Sequence, residues 1–92
     1  MIGSIKNRRL KRLYEKGERR GIGANLVDKI ERILANLDAA ETIDHMRQPG
    51  YRLHELRGDL RGFYAVDVSG NWRIIFKFED GKAFDVDLVD YH

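Results

Sequence analysis

The residues of this chain with the clearest chemical capacity are the last three, Asp90-Tyr91-His92. They place an acid, a phenol and an imidazole in a row, directly after a strand-like apolar segment, Ala83 to Val89. Histidine exchanges a proton near neutral pH, and a neighbouring carboxylate or phenol can take part in the transfer. The ordinary alternative is that Tyr91 covers a core edge and His92 is a solvated chain end. These three residues alone favour that alternative, so the rest of the sequence has to decide.

Composition limits the scaffold that could position such a site. With 92 residues and 42% hydrophobic content, we expect one domain, residues 1–92, with a modest core. The chain has no cysteine, which excludes disulfides and thiolate-bound zinc. No two of the three histidines, His45, His54 and His92, have the i, i+4 spacing of a helical metal site, so we expect neither metal nor cofactor. His45 is expected on the surface.

No apolar run approaches the roughly 20 residues that span a bilayer, and no signal peptide precedes the first helix. The sequence therefore predicts a soluble cytoplasmic protein without membrane contact.

Two helices are predicted in the first half of the chain. Asn7 to Lys16 carries apolar residues on one face among arginines and lysines, and Ala24 to Leu37 carries a complete apolar stripe. The stripe consists of Leu26, Val27, Ile30, Ile33, Leu34 and Leu37. Met1 to Ile5 is a weak first strand, and Glu41 to Met46 adds a short helical turn that ends before Pro49.

From residue 51 the apolar period changes from helical to alternating, which predicts about four antiparallel strands. The segments are Tyr51 to Leu56, Phe63 to Val68, Asn71 to Phe78 and Ala83 to Val89. Turns are expected at Ser69-Gly70 and at Glu79-Asp80-Gly81, and a loop from Arg57 to Gly62. The prediction is an α+β fold, with two N-terminal helices packed on one face of the sheet.

The other sheet face is open and can collect polar groups. Alternation puts Asn71 and Arg73 opposite the stripe of Trp72, Ile74 and Phe76, and puts His54 opposite Leu53. The last strand is predicted to place Phe84, Val86 and Leu88 on one face. Taken singly, Arg73 could be an exposed arginine paired with Asp85 or Asp87, and His54 a half-buried histidine bonded to a carbonyl.

Charge is distributed unevenly along the chain. Residues 1–20 hold eight basic and two acidic side chains, a net charge of +6, and the other 72 residues carry a net charge of −4. A basic arm fits a polyanionic partner, because phosphate contacts supply affinity independent of sequence. It also fits a plain solvated helix face.

Three segments are distinctive in combination: Tyr51-Arg52-Leu53-His54-Glu55-Leu56-Arg57-Gly58-Asp59, Asn71-Trp72-Arg73-Ile74 and Val89-Asp90-Tyr91-His92. Together they resemble the HigB-type toxins of the RelE/ParE superfamily in bacterial toxin–antitoxin systems, and the resemblance extends along essentially the whole chain. It implies a RelE-like fold and the activity of a ribosome-dependent mRNA endonuclease. The implied reaction is metal-free attack of a ribose 2′-hydroxyl on the adjacent phosphate, giving a 2′,3′-cyclic phosphate and a 5′-hydroxyl.

The resemblance carries over a set of site residues: His54, Arg57, Asn71, Arg73, Asp90, Tyr91 and His92. It makes His54 and His92 the proton-transfer pair without saying which is acid and which is base. Asp90 would orient or charge an imidazole, or act as the base itself. Tyr91 would stack on or position a nucleotide base.

Arg57 and Arg73 would stabilise the extra negative charge on phosphorus. Arg57 stands where members of the family that this sequence resembles carry lysine, so we expect a fixed cation there and not a proton-transferring base. The residues expected to bind RNA are Lys6, Arg8, Arg9, Lys11, Arg12 and Asn71.

The implied partners are a helix-turn-helix antitoxin of HigA type, the ribosome with its mRNA, and operator DNA only through the antitoxin complex. Some members of the superfamily poison DNA gyrase without cutting RNA, and a degenerate member could act only as a binding subunit of a repressor complex. Those alternatives predict a sheet face without a proton-transfer set. The presence of His54, Asp90 and His92 favours the nuclease.

Overall fold

The computed structural model describes residues 1–90. Tyr91 and His92, which carry part of the predicted chemistry, lie outside the described residues.

Two helices form the first layer. Helix α1 (Arg8–Lys16) begins at Asn7, whose side-chain oxygen accepts hydrogen bonds from the backbone N–H groups of Arg9 and Leu10 at 2.9 and 3.0 Å. Such a cap satisfies donors that the first helical turn leaves unpaired. Gly17 ends the helix at φ 69°, a conformation that glycine adopts without steric cost.

Helix α2 (Val27–Ala39) begins three residues later than predicted. The N–H groups of Leu26 and Val27 both donate to the carbonyl of Gly23, at 2.9 and 3.1 Å. Residues 24–26 therefore form a turn that leads into the helix. The short helical turn predicted after α2 is confirmed as a 3₁₀ helix, Ile43–Met46.

Four antiparallel strands form the second layer, in the spatial order β1-β2-β3-β4. Their bounds are β1 His54–Glu55, β2 Tyr64–Asp67, β3 Trp72–Glu79 and β4 Lys82–Asp90. Asp80 and Gly81 join β3 to β4 with φ 51° and 76°. Two successive positive φ angles are typical of the type I′ hairpin turn, for which Asp-Gly is a preferred pair.

The ends of the sheet differ from the prediction. Strand β1 has two residues, because Arg52 adopts φ 51° and cannot continue an extended strand. The predicted loop from Arg57 to Gly62 contains a 3₁₀ turn, Gly58–Leu60. The N-terminal segment runs parallel to β4 and meets it in two isolated bridges, Ile2 with Ala83 and Ile5 with Val86.

The predicted face of Phe84 is wrong. The register shifts between Ile75 and Lys77, so that Lys77 pairs with Phe84 while Ile75 pairs with Asp87. The strand bulges at Asp85, which has φ 52°, and a bulge inverts the alternation on either side of it. Phe84 therefore shares the open face with Lys77.

The apolar stripe of α2 packs on the sheet face that carries Ile74 and Phe76, both fully buried. The α+β architecture, with two helices covering one face of a four-stranded antiparallel sheet, is confirmed. Within residues 1–90, no helix is long and apolar enough to cross a membrane.

Asp38 ties the N-terminal segment to both helices. Its Oδ1 accepts hydrogen bonds from the Tyr14 hydroxyl at 2.8 Å and from the Ile2 N–H at 2.9 Å. The hydrogen bond from Tyr14 is the main cause that lowers the pKa of Asp38, followed by the one from Ile2. The same contact is the main cause that raises the pKa of Tyr14.

We expect Asp38→Asn to lower the unfolding free energy by about 1 kcal/mol at pH 7, because a charged acceptor is replaced by a neutral one. A carboxyl whose pKa is lowered on folding stabilises the protein above its ordinary value of 3.8, and this stabilisation is lost as the pH falls through the folded pKa. Urea unfolding between pH 7 and pH 2 should show the difference from wild type closing in acid. A constant difference would contradict the assignment, and Glu79→Gln, at an exposed strand end, is the control.

Candidate active site

His54 on β1 has a defined hydrogen-bonding state. Its Nδ1 lies 2.7 Å from the carbonyl oxygen of Arg52, and its Nε2 lies 3.3 Å from Nη1 of Arg73. A carbonyl can only accept and a guanidinium can only donate, so Nδ1 carries the proton and Nε2 is the acceptor. In this tautomer the lone pair of the imidazole is at Nε2.

The backbone at Arg52 provides the carbonyl that fixes this tautomer. Arg52 adopts φ 51° although it is not glycine, which costs about 1 to 2 kcal/mol for an L-residue. Its neighbour Tyr51 is held in place by a hydrogen bond of 2.7 Å from the N–H of Asp67 to the Tyr51 carbonyl. Strained backbone of this kind is concentrated at functional sites.

The register of β2 and β3 places Asp67 opposite Arg73. Asp67 Oδ1 lies 3.4 Å from Arg73 Nε, and Asp67 Oδ2 lies 3.6 Å from Arg52 Nε. The ion pair between Asp67 and Arg73 is one that the sequence did not indicate. Asp85 of β4 forms an ion pair with Lys77, with 4.0 Å between Asp85 Oδ2 and Lys77 Nζ.

Arg57 shares an open groove of about 610 Å³ with His54. Arg47 and Arg61 also line this groove, whose only acidic lining residue among the described residues is Glu55. Sequence analysis singled out His54 and Arg57 but missed the other two arginines. The signal available in the sequence was the density of arginine between positions 47 and 61.

Asn71 lies elsewhere than predicted. It belongs to the turn between β2 and β3, and with Arg9 and Trp72 it lines a second groove of about 490 Å³ beside α1. Two residues predicted to bind RNA, Arg9 and Asn71, are therefore brought together, but in a groove whose lining includes neither His54 nor Arg73. The other predicted RNA-binding side chains, Lys6, Arg8, Lys11 and Arg12, are exposed.

Asp90 is the last described residue and is exposed. The register pairs it with Trp72, and pairs Val89 with Arg73. Val89, and not Asp90, is therefore the residue of β4 directly opposite Arg73. The roles predicted for Tyr91 and His92 fall outside the described residues.

Within residues 1–90, no group of three or more histidine, aspartate or glutamate side chains is arranged to hold a metal ion.

The fold is shared with solved bacterial toxins. In the YoeB–YefM complex from Staphylococcus aureus, the matching chain aligns with a TM-score of 0.63 at 15% identity, over 100% of this chain and 98% of that one. YafQ from E. coli strain BL21(DE3) aligns with a TM-score of 0.57 at 16% identity, over 98% of this chain and 93% of that one. At these identities the likeness concerns the fold.

Sequence comparison defines the family more closely. The model of the HigB-like toxins, described as the RelE-like toxin of type II toxin-antitoxin system HigB, matches residues 3–92. Endoribonuclease HigB of Proteus vulgaris is 41% identical over 92 residues, which is 100% of both chains. Toxin HigB-1 of Vibrio cholerae serotype O1 is 34% identical over 90 residues, 96% of this chain and 95% of that one.

The chain belongs to the HigB-like toxins, the RelE-like toxins of type II toxin–antitoxin systems. The family resemblance drawn from the sequence is confirmed. A toxin of this kind is one member of a pair whose other member is an antitoxin.

The two described histidines should show opposite tautomers. Nδ1 of His45 accepts a hydrogen bond of 3.0 Å from the Glu41 N–H, so when neutral this ring carries its proton on Nε2, whereas neutral His54 carries it on Nδ1. Long-range ¹H–¹⁵N correlation spectra at a pH where both rings are neutral should separate the two patterns. An Nε2–H form of His54 would contradict the described site.

Proposed function

We propose that this toxin is an endoribonuclease that cleaves mRNA on the ribosome and thereby inhibits translation and growth. The observation that carries the proposal is the contact between Nε2 of His54 and Nη1 of Arg73, at 3.3 Å. It joins a proton acceptor to a fixed cation beside a groove rich in arginine. These are two of the groups that RNA transesterification needs.

In the proposed reaction the ribose 2′-oxygen forms a bond to phosphorus and the bond from phosphorus to the 5′-oxygen breaks. The products are a 2′,3′-cyclic phosphate and a 5′-hydroxyl. His54 takes the 2′-hydroxyl proton at Nε2, since its neutral tautomer leaves the lone pair on that atom. His92 then returns a proton to the leaving 5′-oxygen, and Asp90 orients an imidazole.

Arg73 and Arg57 are proposed to neutralise the charge that builds up on the phosphorane. Arg73 is next to the base, whereas Arg57 lies in the same groove as His54 and is exposed. An arginine stays protonated at any working pH, so Arg57 serves as a cation and not as a base. Tyr91 is proposed to stack on a base of the bound mRNA.

The proposed partners are a HigA-type antitoxin, which also links the toxin to operator DNA, and the ribosome. The exposed basic residues of α1 would contact ribosomal RNA, and the groove between Arg9 and Asn71 would extend this surface towards β3. These partners imply that the toxin works in the cytoplasm. We propose that residues 1–92 act as a single toxin domain.

Primer extension on an mRNA under translation, with and without the toxin, tests the proposed function. Wild type should produce discrete cuts within codons, and the cuts should disappear when ribosomes are omitted. His54→Ala should slow single-turnover cleavage by about 10²- to 10⁴-fold, the range for loss of a general acid or base. His45→Ala is the matched control, because it removes an exposed imidazole that does not line the groove and whose Nδ1 accepts from the Glu41 N–H, and it should cut as wild type does.

Deleting Tyr91 and His92 should abolish cleavage, because the proposed acid is lost while β4 keeps its described length. An uncut message with wild-type toxin, or gyrase-dependent DNA breaks in its place, would overturn the nuclease assignment. Full activity of the shortened protein would remove only the terminal residues from the mechanism.

The basic face of α1 can be tested apart from catalysis. Arg8→Ala/Arg12→Ala should weaken ribosome binding and reduce the slope of log affinity against log salt by about 1.5, because two fewer counterions are released. Arg32→Ala/Lys82→Ala removes the same charge from exposed positions outside α1 and should have a smaller effect. Co-sedimentation with ribosomes across a salt series measures the affinity and the salt slope of each variant. Equal slopes for the two variants would contradict a specific RNA-binding face.

A further inference from the structure

Asp67 places a negative charge beside the proposed phosphate-binding site, where a negative charge is unexpected. It lies on the open sheet face between two arginines, with Oδ1 3.4 Å from Arg73 Nε and Oδ2 3.6 Å from Arg52 Nε. Its side chain is 19% exposed and that of Arg73 is 21% exposed. An anion here repels an RNA phosphate, so substrate binding alone gives no reason for it.

One oxygen of Asp67 is also incompletely satisfied. Oδ1 is buried and accepts no hydrogen bond from the described residues; its contact is the ion pair with Arg73. Buried carboxylate oxygens are normally hydrogen-bonded because desolvation penalises the charge. The ion pair with Arg73 is therefore the described contact that offsets the cost of burying Oδ1.

The contacts of Asp67 close into a ring of four residues. Asp67 contacts Arg73 Nε, Arg73 Nη1 contacts His54 Nε2, His54 Nδ1 contacts the Arg52 carbonyl, and Arg52 Nε returns to Asp67. Arg52 takes part twice, through its left-handed backbone and through its side chain. In this ring Asp67 fixes the guanidinium, and the guanidinium faces the lone pair of the imidazole.

We propose that Asp67, assisted by Arg52, is a positioning residue for the cleavage reaction. Asp67 holds Nε of Arg73, so that the Nη end is presented to His54 in the free toxin and to the phosphate when RNA is bound. As Arg73 turns towards the phosphate, Nε2 of His54 is released to accept the 2′-hydroxyl proton. The inference rests on the proposed nuclease function and adds a residue that does not itself touch the substrate.

This role predicts that Asp67→Asn keeps or increases the affinity for programmed ribosomes while it lowers the cleavage rate. Asp67→Asn removes an anion near the phosphate, so KM for programmed ribosomes should stay the same or fall. The variant also loses the charged anchor of Arg73, so the single-turnover rate should fall by about 10- to 100-fold, by analogy with groups that orient the ligands of metal sites. A residue that only stabilises the fold would not separate the two constants in this way.

Three further variants sharpen the test. Asp67→Glu keeps the carboxylate and should recover a substantial part of the rate. Arg52→Gly keeps the left-handed backbone and the carbonyl but deletes the side chain, so it should slow cleavage less than Asp67→Asn does. Asp85→Asn is the matched control, because Asp85 faces Lys77 at 4.0 Å with both side chains half exposed, and its rate should equal that of wild type.

The tautomer of His54 gives a readout independent of activity. Wild type should show the Nδ1–H pattern, and Asp67→Asn should show a mixture of tautomers, because Arg73 no longer faces Nε2 in a fixed position. Thermal melts establish that each variant is folded, and if Asp67→Asn does not fold, Asp67→Glu and Arg52→Gly carry the comparison.

The positioning role is overturned if Asp67→Asn cleaves at the wild-type rate, or if its KM rises as its rate falls. It is also overturned if Asp85→Asn loses as much cleavage rate as Asp67→Asn does. A wild-type toxin that does not cut would instead refute the proposed function. The His54 tautomers in wild type and Asp67→Asn would then still decide whether Asp67 positions the ring.

Discussion

The apolar stripe of α2 has to be buried, and only one face of the small sheet is available to bury it. Ile30, Ile33 and Leu37 are fully buried against the face that carries Ile74 and Phe76. Since alternate residues of a strand point to opposite sides, this packing fixes which residues of β2 and β3 face outwards. A slip of one residue in the register would exchange Arg73 for a core residue, so the core and the proposed site depend on the same pairing.

The arrangement of the outward face depends on ion pairs as well as on the alternation of side chains along the strands. Asp67 and Arg73 face each other because their strands pair at those positions, and His54 approaches Arg73 because Arg52 turns the chain with a left-handed backbone. The resulting contacts place Nε2 of the imidazole 3.3 Å from Nη1 of Arg73, a permanent cation. Such an arrangement suits the proposed removal of a proton beside a phosphate. A carboxylate in the same place, without a cation next to it, would be repelled by the phosphate.

The two grooves are lined by different functional residues. One combines His54 with arginines of the region between residues 47 and 61. The other connects the basic start of α1 with the turn before β3. The proposed chemistry and the proposed RNA anchoring therefore depend on different residues, because His54 lines the first groove and Arg9 and Asn71 line the second.

Local sequence determined the elements and, through the resemblance of its motifs, the family. The stripe of α2, the alternation of β3 and the Asp80-Gly81 turn follow from interactions between residues that are close in sequence, and such patterns can be recognised along the chain. The segment around His54, the Asn71-Trp72-Arg73-Ile74 segment and the terminal Val89-Asp90-Tyr91-His92 segment together indicated a HigB-like toxin.

Tertiary structure decided which residues meet. Sequence patterns did not assign Asp67 to Arg73, move Asn71 into a groove with Arg9, or invert the face of Phe84 through the bulge at Asp85. Each of these depends on register, on a bulge or on the packing of distant segments. Periodicity states which side of a strand a residue occupies, but the neighbour it meets there is set by long-range pairing, whose free energy is shared over the whole sheet and core.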